Sequence, residues 1–131
     1  MASPAPRRPP PVTAADADAL ELATGLRHEF YNGRAVAMSG GTLRHNAIAI
    51  NVALALRSGL VGKPCRAYIA DVKLKVVCDG AHFYPDAIVV CGDRAGPADG
   101  RVALTDATVV IEVESQSTSE RNLGRELRAQ T

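Results

Sequence analysis

The sequence predicts an α/β (α+β) fold, a mixed β-sheet flanked by helices. Three observations carry this. Apolar residues recur at helical spacing in two early segments, an Asn-Gly pair divides two short strand-like runs, and strand patterns dominate the second half. At 131 residues with 47% apolar and 22% charged side chains, the chain suits one domain with a single core.

Residues 1–12 are rich in proline and carry Arg7 and Arg8, which favours a disordered arm ahead of a domain over 13–131. Thr13 is an N-cap for a helix over 14–24, and Gly25 stops it. Asn32 and Gly33 then join strands at about 26–31 and 34–38. On the first strand Arg27, Glu29 and Tyr31 share one face and His28 and Phe30 the other. Leu43, Ala47, Ile50 and Leu54 define a helix over 43–58, capped by Thr42 or Ser39 and ended by Gly59. So apolar a helix is expected to lie mostly buried on the sheet.

From Cys65, "CRAYIADVKLKVV" reads as a strand with one wet face carrying Lys73 and Lys75. An Asp79-Gly80 turn leads into "FYPDAIVVCG", a more continuously apolar strand. A loop over 92–106 precedes the strand "ATVVIEVES", and a last helix opens in "STSERNLGRELRAQ".

Fifteen basic against fourteen acidic residues give a net charge of +1, so global charge demands no polyanionic partner. Cys65, Cys78 and Cys91 show neither a C-x-x-C pair nor zinc spacing, and are expected as reduced thiols of the core. With no run of about 18 apolar residues and no apolar leader, the expectation is a soluble, cytoplasmic protein with no membrane partner. A G-x-S-x-G elbow, a Walker loop and a metal-binding histidine pair are all absent from the sequence.

Asp86 and Glu112 interrupt otherwise apolar strands. A carboxylate there must be paired, hydrogen-bonded or bound to a cation, and two on neighbouring strands suggest a shared one. "FYPDAIVV" followed by "VVIEVESQST" resembles the PD-(D/E)XK nuclease pattern. More narrowly, residues 13–131 resemble the bacterial Uma family of restriction-endonuclease-like proteins, through Glu29 to Gly33, Met38 to Asn46, Tyr84 to Cys91 and Val110 to Thr118.

The resemblance implies a restriction-endonuclease-like fold and a Mg²⁺- or Mn²⁺-dependent endonuclease acting on DNA, with a homodimer as a reasonable assembly. Asp86 and Glu112 would hold the metal, Glu29 would add an outer carboxylate, and His45 matches a family histidine. The "SGGT" turn would offer backbone N–H groups to a phosphate. The family's helix brings an aspartate, a lysine and a tyrosine where this sequence has Asn122, Glu126 and Gln130. Lys73 and Lys75, on the strand expected to pair with that of Asp86, are the substitutes for the lysine. Family members continue further, so the resemblance implies a truncated member. Its alternative function is a catalytically silent nuclease-fold remnant or interaction module.

Overall fold

The computed structural model describes residues 10–38 and 40–114. Helix α1 (Ala14–Thr24) begins with a reciprocal capping box. The Asp16 N–H donates to the Thr13 hydroxyl, and the Thr13 N–H donates to the Asp16 carboxylate. Gly25 closes it at φ +70, where a residue without Cβ is unstrained. Strands β1 (His28–Tyr31) and β2 (Arg34–Ala37) form the expected hairpin around Asn32 and Gly33, both at positive φ. The chain already lies against this turn before Thr13, because the Val12 N–H donates to the Gly33 carbonyl at 2.8 Å.

Helix α2 (Leu43–Gly59) is N-capped by Thr42, whose hydroxyl accepts the His45 N–H, and Leu60 rather than Gly59 is its C-cap. It packs on the second sheet described below, yet none of its residues is buried. Leu43, Ile50 and Leu54 are largely exposed and Ile48 partly so. The expectation of a mostly buried helix is thus corrected. Apolar periodicity reports which face a helix can bury, and this one is wider than the surface it meets.

Two runs expected as single strands each divide. "CRAYIADVKLKVV" becomes β3 (Cys65–Ile69) and β4 (Lys73–Lys75), broken at Ala70, whose φ of +26 cannot continue a strand. "FYPDAIVVCG" becomes β5 (His82–Phe83) and β6 (Ala87–Cys91), broken at Tyr84-Pro85, where proline has no N–H for a ladder. The loop over 92–106 contains a 3₁₀ turn (Gly92–Ala95) and β7 (Ala103–Leu104), and β8 (Val109–Ile111) follows. The expected last helix, with Asn122, Glu126 and Gln130, lies outside the described residues.

The strands form two sheets rather than one. The first has the order β2-β1-β5-β4-β7, antiparallel except for β4 against β7, and the second has the antiparallel order β3-β6-β8. Each divided run starts in one sheet and ends in the other, and the Ala70 N–H donates to the Asp86 carbonyl at 3.2 Å, linking the two crossings. Lys73 and Lys75 therefore lie on a strand that pairs with β5 and β7, and not on the neighbour of Asp86's strand as the sequence suggested. The core sits between the sheets. Ile88 and Val90 of β6 and Ala95 pack against Tyr68 of the second sheet and Leu74 and Leu104 of the first.

The cysteine expectation is also corrected. Cys65 and Cys91 are register partners across β3 and β6 and form a disulfide, while Cys78 is free and exposed. Spacing in sequence hid a contact that the antiparallel register creates.

Candidate metal centre

Asp86 stands one residue before β6 and Glu112 one residue after β8. The ladder between these strands ends at the pair Ala87 and Ile111, so the two acids adjoin that pair at one end of the strands of the second sheet. The Asp86 Oδ2 accepts the Val113 N–H at 2.7 Å, which fixes the carboxylate on the partner strand's side. His45 Nε2 lies 3.4 Å from the same oxygen. Thr42 sets where α2 begins, and so how far His45 reaches. An added Cβ at Gly41 would stand 3.2 Å from the His45 Nδ1, so the glycine leaves room for the ring.

The structure thus brings Asp86 and His45 together, with Glu112 following β8 beside the pair that ends the β6–β8 ladder. Asp86 and His45 keep 19% and 25% of their side chains exposed, enough for a solvent-borne ligand to reach them. Carboxylate oxygens are the donors that Mg²⁺ and Mn²⁺ prefer, and Asp86 offers one beside an imidazole. Glu29 is half-buried on β1 in the first sheet, opposite Val36. Lys73 and Lys75 belong to another cluster.

That cluster lies beneath α1 and was not foreseen. Asp18 and Glu21, one helical turn apart, point at Lys73 of β4, whose Nζ is 2.7 Å from Asp18 Oδ1 and 2.6 Å from Glu21 Oε1. The Tyr84 hydroxyl donates to Glu21 Oε2, and His82, only 1% exposed, places Nε2 3.7 Å from Glu21 Oε1. Glu21 Oε1 is buried without a well-aligned donor, its compensation being the ammonium charge beside it. Lys75 stands opposite His82 in the β4–β5 register.

Each group responds. The Lys73 hydrogen bond holds the Asp18 carboxyl below its ordinary range. Burial pushes Glu21 up, but hydrogen bonds from Lys73 and Tyr84 outweigh it and the net shift is down. Burial opposes the Lys73 charge, yet Asp18 and Glu21 hold its ammonium well above the ordinary lysine range. Burial, then the Glu21 carboxylate, pushes the Tyr84 phenol up to about 12. Burial and the Lys73 charge keep His82 below the ordinary histidine range.

Asp18, Glu21 and His82 have ligand atoms within 4.8 Å of one another, which by spacing alone is a metal group. Lys73 already supplies the cation there. Asp18 and Glu21 had read only as acids in a helix's first half; the missing signal was that their shared face lies over an inward-facing lysine.

Residues 14–130 match the family Uma2, described as "Putative restriction endonuclease", and the chain belongs to that family. Two uncharacterized proteins of Synechocystis sp. are similar to it. One is 28% identical over 78% of this chain and 53% of its own length, the other 24% identical over 81% and 60%. The chain thus spans little more than half the length of these curated relatives. The fold resembles that of a "putative nuclease belonging to DUF820" from Anabaena variabilis, with TM-score 0.66 and 19% identity over 90% of this chain and 69% of that one. The likeness bears out a mixed α and β nuclease-like fold. Among the described residues, no helix is long and apolar enough to cross a membrane.

Proposed function

We propose that this protein is a divalent-metal-dependent endonuclease that hydrolyses phosphodiester bonds in DNA, with Asp86 and Glu112 as its metal-holding carboxylates. The observation that supports this most is that both acids adjoin the Ala87–Ile111 pair that ends the β6–β8 ladder, with His45 Nε2 3.4 Å from the Asp86 carboxylate. Membership of the Uma2 family supports the reaction class.

When bound, Mg²⁺ or Mn²⁺ would polarise the scissile phosphate and lower the pKa of a water. The rest falls to the chain. Val113 holds Asp86 Oδ2 in place through its N–H, and His45 Nε2 stands 3.4 Å from the same oxygen, so the carboxylate is oriented before an ion arrives. Glu29 remains the proposed outer carboxylate that orients water. Lys73 is reassigned: held between Asp18 and Glu21 and only 12% exposed, it acts as an internal counter-ion rather than as the nuclease lysine. Lys75 takes no role in the reaction.

The alternative is a catalytically silent member of the family, favoured by Glu126 at the lysine position. Nicking of supercoiled plasmid in Mn²⁺ separates the two. The proposal expects cleavage that falls at least about 10²-fold in Asp86→Asn, the scale for losing one preorganised electrostatic group. No cleavage by the wild type at any pH favours the silent reading.

A further inference from the structure

Lys73 is held under α1, which leaves open what binds the substrate's negative charge. We propose that Arg27 is a phosphate-anchoring residue of this site, gripping a backbone phosphate of the nucleic acid beside the scissile one. The inference rests on the nuclease reading and names a substrate contact within it.

Arg27 lies immediately before β1, and its guanidinium reaches across to the two crossings between the sheets. Nη1 donates to the Ala70 carbonyl at 2.7 Å, and the Ala70 N–H in turn donates to the Asp86 carbonyl at 3.2 Å. The guanidinium carbon sits 5.6 Å from the centre of the Tyr84 ring, two residues before Asp86. The cation is therefore two hydrogen bonds from the backbone of Asp86, on a rigid platform of carbonyl and aromatic face.

Its state suits anion binding. The side chain is 39% exposed, and its charge partner, Asp71, is 92% exposed at 3.5 Å. An ion pair that open to water is worth about 0–1 kcal/mol and is readily exchanged. Only Nη1 of the guanidinium donates to the protein among the described residues, leaving donors of its planar fork for two oxygens of a phosphate. Lys73, by contrast, is 12% exposed between two carboxylates and would have to abandon both. Asp71 acts as a placeholder that a phosphate displaces.

Fluorescence anisotropy with a labelled DNA duplex, without metal and over a range of salt, tests this. Arg27→Ala is expected to weaken binding about tenfold and to reduce the slope of log K against log salt by about 0.9, the loss of one phosphate contact. Arg27→Lys recovers charge without the fork and falls between. Because Arg27 also anchors Ala70, Arg27→Ala removes a backbone contact as well as a charge, and Asp71→Ala supplies the independent arm. Releasing the guanidinium should tighten DNA binding several-fold if Arg27 takes phosphate. Unchanged affinity and salt slope in Arg27→Ala, or unchanged affinity in Asp71→Ala, overturns the assignment while leaving the nuclease reading intact. Absence of DNA binding by the wild type at low salt overturns both.

Discussion

Asp86 illustrates how much one residue's neighbours decide. A lone carboxylate at a strand mouth is ordinarily a cap or an ion-pair partner, and the Val113 N–H alone would justify it. The opposed Glu112 and the His45 ring turn that edge into a candidate metal centre. His45 touches the Asp86 carboxylate and orients it, so His45→Ala should weaken Mn²⁺ binding by about 10- to 100-fold, the usual scale for an orienting partner. Calorimetric titration reads this directly, and His45→Gln, which retains a polar contact, should recover part of the loss. Sequence alone singled out Asp86 and Glu112 because both are acids inside apolar runs. It could not reach Arg27, whose partners Ala70 and Tyr84 lie about forty and sixty residues away, nor the cysteine pair, which only the register of β3 and β6 brings together.

Among the described elements, α1 is fastened by charge, and its docking should depend on pH at both ends. Asp18 and Glu21 titrate lower in the folded protein than in the unfolded one, and so does His82. The unfolded chain then binds more protons on the acid side, so stability falls as pH drops below about 6.5 through His82 and below about 4 through the two acids. Lys73 and Tyr84 are shifted up, so their contribution is complete below about pH 10 and is lost above it. The melting temperature should be flat between these limits and fall on both sides. Lys73→Met should flatten the alkaline limb and lower stability at neutral pH, because Glu21 would remain buried without its counter-charge. A melting curve in Lys73→Met that keeps the wild-type pH dependence would show that the network does not fasten the helix. The elements themselves were largely readable in sequence, with α1, the hairpin and α2 close to their observed bounds. The divided strands were not. Apolar residues run on across Ala70 and resume after Pro85, and only the backbone at these positions reveals a change of sheet.

Across the whole molecule, two small sheets share one core and are tied by two crossings that meet at Ala70 and Asp86. The candidate metal centre therefore stands at the seam. β6 is central to the second sheet, and the Cys65–Cys91 disulfide joins it to β3 at its far end from Asp86. Closing a loop of that length, 26 residues apart in sequence, constrains the unfolded chain by about 3 kcal/mol. Reduction should lower the denaturation midpoint by a corresponding amount while leaving Mn²⁺ binding at the opposite end of the strand unchanged when measured well below the midpoint. The exposed apolar face of α2 is the largest discrepancy between pattern and structure: Leu43, Ile50 and Leu54 follow a helical period that nothing among the described residues covers. The sequence announced an apolar surface and could not say what, in space, lies against it.

The central claim is that the edge formed by Asp86 and Glu112, and not the acidic group under α1, takes the divalent ion. Titration of Mn²⁺ into the wild type, Asp86→Asn, Glu112→Gln and Asp18→Asn, followed by electron paramagnetic resonance of the free ion, tests it most directly. One bound Mn²⁺ per chain is expected, lost in Asp86→Asn and Glu112→Gln and retained in Asp18→Asn. Binding that survives Asp86→Asn, or that disappears in Asp18→Asn, would contradict it.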